Sequence, residues 1–455
     1  MKKNILLLGA GLSTKSLIKY LLEKSNEYNW KVRIGDLNIE TILSKTKNHP
    51  NSEAFTFDIN NQTQLYKEIK AADIVISMMP ARFHHLTAKA CLDLNKNMVT
   101  ASYVSPEIKS MESEFKQKGL LVLMEMGVDP GIDHMSAKNI INRLKSKGYK
   151  ITLFKSFTGG LVAPKYDNNP WNYKFTWNPR NVVLAGQGTS MFIRNGKYKY
   201  IPYCQVFRRI ERVFIDEVGE FEAYANRDSL KYRELYGLQD IPTIFRGTLR
   251  RPGFCKSWDI FVQLGMTCDT YYIENIENMT LKEFTNSFLP YSKTLSVEEK
   301  IRRMFNLNAD SFTLYKLRWL GLFSNEKIGL KKATPAQVLQ HILTKKWKLD
   351  KDDKDMIVMQ HQFEYENDKG KREQIHSSLV VYGTNEDTAM SITVGLPIAI
   401  ATKLILTGQI KDNGVKIPIE EHIYKPILKE LEQYGIVFKE KFIPYEEITE
   451  PFSKL

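Results

Sequence analysis

Cysteine is scarce in this 455-residue chain: Cys91, Cys204, Cys255 and Cys268 are the only four. No two of them have Cys-x-x-Cys spacing, which excludes the common zinc and dithiol motifs, and no metal is expected. They are too few for a disulfide scaffold, so a reducing cytoplasm is the expected compartment. No uncharged apolar run reaches the ~18 residues of a membrane span, and no membrane partner is expected. The apolar start "NILLLGAG" (4–11) is short and runs straight into a helical pattern, unlike a signal peptide. A long basic arm is also missing. The 65 Lys and Arg residues are interspersed with 52 Asp and Glu, leaving a net charge of +13. The mixed run "TKKWKLDKDDKD" (344–355) reads as a solvated surface. Nucleic acid is therefore not expected as a partner, whereas a positive field suits an anionic small molecule. A chain of this length is expected to fold as two or three domains.

What is present begins with "KKNILLLGAGLSTKSLIKYLLEK" (2–24). An apolar run fit for a strand buried on both faces leads to Gly9-Ala10-Gly11. Leu17, Ile18, Leu21 and Leu22 then recur at helical spacing. The next apolar run, "WKVRIGD" (30–36), ends on Asp36. Strand, glycine turn, helix, strand and acid is the order of a dinucleotide-binding unit. Gly9 permits the tight turn. Gly11 lets backbone approach a pyrophosphate at the positive end of the helix that Leu12, Ser13 and Thr14 open. Thr14 stands where the fingerprint has its third glycine, whose role is close packing, and its hydroxyl is a candidate phosphate donor. Asp36 would accept from the adenosine ribose and repel a 2′-phosphate, which favours NAD and leaves NADP as the alternative.

The alternation continues. Strands are expected at 54–58, 72–80, 96–106 and 119–131, with helices over 61–70, 83–94 and 107–118. This predicts an α/β, Rossmann-like doubly wound parallel sheet with ligands at the carboxyl ends of its strands. Those ends carry Asp58, Met79, Ser102, Tyr103, Val128, Asp129 and Pro130.

Two of these segments, "VTASYVSPEI" (99–108) and "MEMGVDPGIDHMSA" (124–137), resemble saccharopine dehydrogenase of the glutamate-forming type. The similarity runs on through "FTGGLVAP" (157–164), "DNNPWNYKFTWNPR" (167–180), "AYANRDS" (223–229), "FRGTLRRPGF" (245–254) and "TVGLPIAIATKLILTG" (393–408). It ends in "GVKIPIEEHIYKPILKELEQYGI" (414–436), nearly spanning the chain. The resemblance implies hydride transfer between a nicotinamide and the carbon that becomes the aldehyde of 2-aminoadipate 6-semialdehyde, with glutamate released after imine hydrolysis. It implies that Arg227 and Arg250 grip substrate carboxylates, with Thr248 and Leu249 beside them, and that Ser102 and Tyr103 contact substrate. It implies that Asp129 orients the substrate amine, so that Asp129 and Tyr103 are the catalytic or orienting pair. Backbone at Val128 and Pro130 is expected to touch cofactor. Thr158 departs from the cysteine of several relatives, and a thiol there is not needed. Thr158 and Phe175 are expected near the cofactor. Asp133 is read as a helix-start cap and His134 as structural.

Downstream, strand character at 150–160, 212–225 and 243–250 predicts an α+β substrate domain. Residues 275–355 carry three amphipathic helical patterns, with a capping box at Thr334–Gln337. The stretches 355–366 and 372–383 alternate like paired strands. The expected division is 1–130, completed by 391–455, for the dinucleotide domain; 131–274 and 356–390 for the substrate domain; and 275–355 as a helical insertion. Extended sheets admit a homodimer. A carboxynorspermidine-type imine reductase and a non-catalytic dinucleotide sensor are the rival readings.

Overall fold

The computed structural model describes residues 2–445. Among the described residues there are sixteen strands, β1–β16 in chain order, gathered into two sheets. The chain divides into two compact units. One runs to Gly148 and includes Leu379–Lys439; the other holds Tyr149–Ser378 and the described residues from Glu440 onward.

The sheet of the first unit contains β1 (Lys3–Leu8), β2 (Trp30–Asp36), β3 (Ser52–Thr56), β4 (Ile74–Ser77), β5 (Asn97–Val99), β6 (Leu121–Leu123) and β15 (Gly414–Lys416). Their order is β15-β6-β5-β4-β1-β2-β3, and every pairing is parallel. Ile5, Leu6, Leu7 and Leu8 are all buried, because helices cover both faces. The expected Rossmann-like sheet is therefore present. The strand order reverses between β1 and β4, so their carboxyl ends form the switch point where such sheets bind ligands. Gly9-Ala10-Gly11 and Met78-Met79-Pro80 lie there.

The seventh strand, β15, is too short for its sequence to announce it. It is followed by the helix Glu421–Leu431, which packs on the helix Ile132–Ser146, with Asn142 donating to the Tyr424 hydroxyl at 2.8 Å. This contact keeps 132–146 in the first unit, so the boundary falls after Gly148 instead of after 130. The helix Ala389–Leu406 is long and apolar enough to cross a membrane, yet most of it is buried inside this unit. Its Gly395 faces the helix Lys15–Glu23 so closely that a Cβ would lie 2.8 Å from the Leu17 nitrogen.

The second unit is built on β7 (Lys150–Val162), flanked by β12 (Thr243–Arg250), which is parallel to it, and β13 (Asp355–Glu366), which is antiparallel. The sheet runs β10-β11-β12-β7-β13-β14-β16, where β10 is Ile210–Ile215, β11 is Gly219–Ala225, β14 is Arg372–Tyr382 and β16 is Lys439–Ile443. A side hairpin, β8 (Ser190–Arg194) and β9 (Lys197–Ile201), joins β12 through β8. β16 belongs to this unit, so the C-terminal segment does not complete the first unit alone. Residues 446–455 of that expected segment lie outside the described residues. Within 275–355 the helices are Leu281–Asn286, Val297–Met304, Phe312–Trp319 and Pro335–Lys346. Both halves of the Thr334–Gln337 capping box are formed. Trp171, Tyr173, Phe254, Trp258 and Trp347 make a buried aromatic core.

Candidate functional site

The glycine turn of the first unit is held from three sides. Gly9 has φ +95°, and a Cβ there would sit 2.7 Å from the Met78 carbonyl, so β1 and the end of β4 approach only because the residue is glycine. Gly11 is different: nothing lies within 4 Å of where its Cβ would be. Its open backbone, followed by the exposed Leu12 and by Ser13 in the first helical turn, fits an incoming pyrophosphate. Thr14 is buried, and its hydroxyl donates to the Gly11 carbonyl at 2.9 Å while accepting from Lys45 Nζ at 3.0 Å. That hydroxyl serves the turn, which corrects the expectation of a phosphate donor. Lys45 also bonds the carbonyls of Ala10 and Gly11. Burial pushes its pKa down to about 8, against the opposing pull of Asp387 and Asp36.

Asp36 accepts from Ala10 N at 2.7 Å with one oxygen and from Asn38 N at 3.0 Å with the other. Both oxygens brace backbone. Asp58 is exposed and holds its own turn through Asn60 N and Nδ2, each at 2.9 Å. Met79 packs half-buried against the core.

The loops after β5 and β6 are tied to each other. Tyr103 donates to Asp129 Oδ1 at 3.2 Å, which brings the expected orienting pair together. Glu125, buried and at φ +58°, binds both loops. Its nitrogen donates to the Ser102 carbonyl at 3.1 Å, its Oε1 accepts from Val104 N at 3.1 Å, and its Oε2 lies 2.7 Å from His134 Nε2. Asp133 Oδ1 accepts from Gly131 N at 2.6 Å, closing the turn at the start of the helix Ile132–Ser146. Gly131 has φ +146°, and its Cβ would lie 2.0 Å from the Gly127 carbonyl. The carbonyl of Val128 accepts from Asp133 N at 3.1 Å and that of Pro130 from Gly127 N at 2.9 Å. Those two carbonyls bond inside the loop.

Ser102 has a partner that sequence reasoning missed. His84 Nε2 lies 2.7 Å from Ser102 Oγ, and His84 Nδ1 lies 2.8 Å from Ser77 Oγ. Burial, with His85 adding to it, pulls the His84 pKa down to about 4. The available signal was "MMPARFHH" (78–85), a histidine just past a strand end at the switch point.

In the second unit Arg250 ends β12 and is buried. Its guanidinium lies over the rings of Tyr173, Tyr224 and Phe254 at 4.9, 5.6 and 5.3 Å. It donates to the Leu249 carbonyl at 2.8 Å and to the Tyr224 hydroxyl at 3.4 Å, and its buried Nε has no hydrogen-bond partner among the described residues. Glu222 stands opposite it across the β11–β12 ladder, yet spends its carboxylate on the N–H groups of Gly253 and Cys255, at 2.7 and 3.0 Å. Arg250 is thus a buried cation without a carboxylate among the described residues, a costly state that an anionic ligand relieves. Thr248, next to the buried Leu249, is the register partner of Thr158 on β7. The buried Thr158 Oγ1 also has no hydrogen bond among the described residues.

Arg227 is not beside Arg250. It is exposed, at φ +49°, just past the end of β11, where Asn226 N bonds the Arg246 carbonyl. At the rise of a strand, the two arginines stand roughly 15 Å apart along the sheet. Phe175 packs against Tyr173 and Trp347, with ring centres 6.1 and 5.3 Å away, as a member of the aromatic core. The helical insertion contributes Lys316, buried, whose Nζ donates to the Gly253 carbonyl at 2.8 Å. Its pKa is pushed down to about 8 by burial.

Comparison with known proteins adds the family. Residues 5–123 match the saccharopine dehydrogenase NADP binding domain, and residues 127–436 match the saccharopine dehydrogenase C-terminal domain. The chain is 34% identical over 451 residues to the saccharopine dehydrogenase [NADP(+), L-glutamate-forming] of Pyricularia oryzae, covering 97% of this chain and 99% of that one. It is also 34% identical to the mitochondrial alpha-aminoadipic semialdehyde synthase of Rattus norvegicus, covering 96% of this chain and 47% of that protein. The apo saccharopine dehydrogenase (L-Glu forming) of Saccharomyces cerevisiae superposes with a TM-score of 0.86 at 32% identity, covering 97% of this chain and 100% of that one. These matches overturn the preference for NAD: the matching domain is an NADP binding domain, and the Pyricularia oryzae and Saccharomyces cerevisiae saccharopine dehydrogenases are named as NADP(+) enzymes. The physical reason is visible in Asp36, whose two oxygens are engaged by Ala10 and Asn38 N–H groups, so its place at a strand end does not by itself decide ribose recognition.

Proposed function

This chain belongs to the saccharopine dehydrogenase family, oxidoreductases acting on CH–NH donors, and on that premise we propose that it interconverts saccharopine with glutamate and 2-aminoadipate 6-semialdehyde. The observation that carries the substrate is Arg250. A buried guanidinium, stacked on three rings and lacking an acid, asks for a planar anion, and its fork pairs bidentately with a carboxylate. Saccharopine has three carboxylates. Arg250 takes one and the exposed Arg227 another.

Bound NADP+ supplies the hydride acceptor. Gly9, Gly11 and the helical turn at Leu12–Thr14 hold its pyrophosphate. The C–H bond of the carbon beside the secondary amine breaks with its electron pair, the amine gives up its proton, and a C=N bond forms. Water adds to that carbon, and the C–N bond then breaks, leaving the semialdehyde and glutamate. Tyr103 and Asp129 orient the amine, with Asp129 accepting from the Tyr103 hydroxyl and placing charge beside the developing cation. Ser102 and Thr248 add hydroxyl contacts to the substrate.

The test is a stopped assay of the purified chain with saccharopine and NADP+, measuring NADPH, glutamate and the semialdehyde together. Equal amounts of all three are expected. Lysine and 2-oxoglutarate as products would place the reaction at the other C–N bond. NADP+ binding without turnover would leave a sensor, and turnover with carboxynorspermidine alone would move the substrate class.

A further inference from the structure

Ser77, His84 and Ser102 form a chain of hydroxyl, imidazole and hydroxyl running from the buried end of β4 to a residue of the candidate substrate site. A neutral imidazole has one N–H donor and one bare acceptor, so such a chain has a direction. An ionised carboxylate only accepts. For Ser102 to serve one, its proton must point at the ligand, and its oxygen must then accept from His84.

We propose that His84 is a positioning residue: its Nε2–H donates to Ser102 Oγ, its bare Nδ1 accepts from the Ser77 hydroxyl, and the Ser102 proton is thereby aimed at a carboxylate of the substrate. This rests on the saccharopine reading above. His84 is buried and only 2% exposed, and it has no acid among its hydrogen-bond partners, which are both hydroxyls. Burial pulls the ring's pKa down to about 4, so well above that pH the imidazole is neutral, with one donor and one acceptor nitrogen for its two hydroxyl partners. Glu125 N donates to the Ser102 carbonyl, so the backbone of Ser102 is held independently and only its hydroxyl rotor is left for His84 to fix.

Two measurements on the full chain test this. The first is the ring nitrogen spectrum of the 15N-histidine-labelled protein, alone and with NADPH plus saccharopine, a pair that does not turn over; His84→Gln assigns the signal. A neutral ring protonated at Nε2 is expected in both states, and protonation at Nδ1 or a charged ring would overturn the proposal. The second is a double-mutant cycle. Ser102→Ala and His84→Leu should each raise KM for saccharopine by about tenfold or more, the worth of a hydrogen bond to a charged group. The double variant should lose no more than either alone. His84→Gln, which keeps a donor and an acceptor, should stay within about threefold of the parent. Additive losses, or a lowered melting temperature with unchanged KM, would make His84 a packing residue. If the parent chain does not turn over saccharopine, the substrate reading falls, while the tautomer of His84 still decides the relay.

Discussion

The two units solve opposite problems with their polar groups. In the first, nearly every group near the candidate site is spent on another. Asp36 braces two N–H groups, Thr14 and Lys45 close the glycine turn, and Glu125 joins two loops. In the second, Arg250 Nε and Thr158 Oγ1 are buried without hydrogen bonds among the described residues. Saturated groups make a rigid frame whose binding surface is bare backbone at Gly11. Unsaturated buried groups are expensive until a ligand arrives. The first unit thus shapes, and the second demands.

The sharpest way to break this contrast is Arg250→Met. Removing a demanded cation should lower kcat/KM for saccharopine by about a hundredfold or more. It should leave NADP+ affinity within about twofold, and leave the thermal midpoint of the ligand-free chain unchanged or raised, since an uncompensated charge has gone. A large loss of ligand-free stability would show that Arg250 is a structural group.

The glycines of the first unit offer the next test. Gly131→Ala places a Cβ 2.0 Å from the Gly127 carbonyl at φ +146°, and should cost several kcal/mol, on the order of 3 or more, in denaturant unfolding. Gly11→Ala meets no atom and sits at φ −66°, so it should fold normally and weaken NADP+ binding instead. Equal stability losses would erase the distinction between a frame glycine and a binding glycine.

Acid should act on both units. His84 titrates at about 4 when folded, against an ordinary value of 6.5. Between those values the unfolded chain binds a proton that the folded chain does not. Stability from this group is therefore full above pH 6.5 and is lost as pH falls through 4, by about 3 kcal/mol in all. His84→Gln should flatten that part of the profile. His376 on β14 is also drawn to about 4, by burial with Lys441 adding, but it is only partly buried, so His376→Gln should flatten it less. The smallest effect belongs to Thr14→Gly. It restores the three-glycine fingerprint, yet removes a hydroxyl that serves the turn, so stability should fall by about 1 kcal/mol with no gain in NADP+ affinity.

Much of this was legible in the chain. The apolar runs and their helical intervals announced the parallel sheet, because strands buried on both faces must be continuously apolar. Tyr103 and Asp129 were placed together by motif alone. Other features were not legible. β15 is three residues long, and its strand character exists only because β6 lies beside it. Asp36 favoured NAD because a one-dimensional reading sees a carboxylate at a strand end but not the two N–H groups it satisfies. The resemblance gave Arg227 and Arg250 each a substrate carboxylate, but their spacing along the sheet follows only from the β11–β12 register.

The sequence by itself determined the class of fold, the switch point and the set of chemically able residues, since periodicity, glycine placement and side-chain type are local properties. Only the tertiary structure decided which of those residues are already satisfied. That depends on partners far along the chain: Asp36 on Ala10, His84 on Ser102, Glu222 on Gly253. Arg250 is left over because its cross-strand acid is engaged elsewhere, and a hydrogen bond made at one place is unavailable at another.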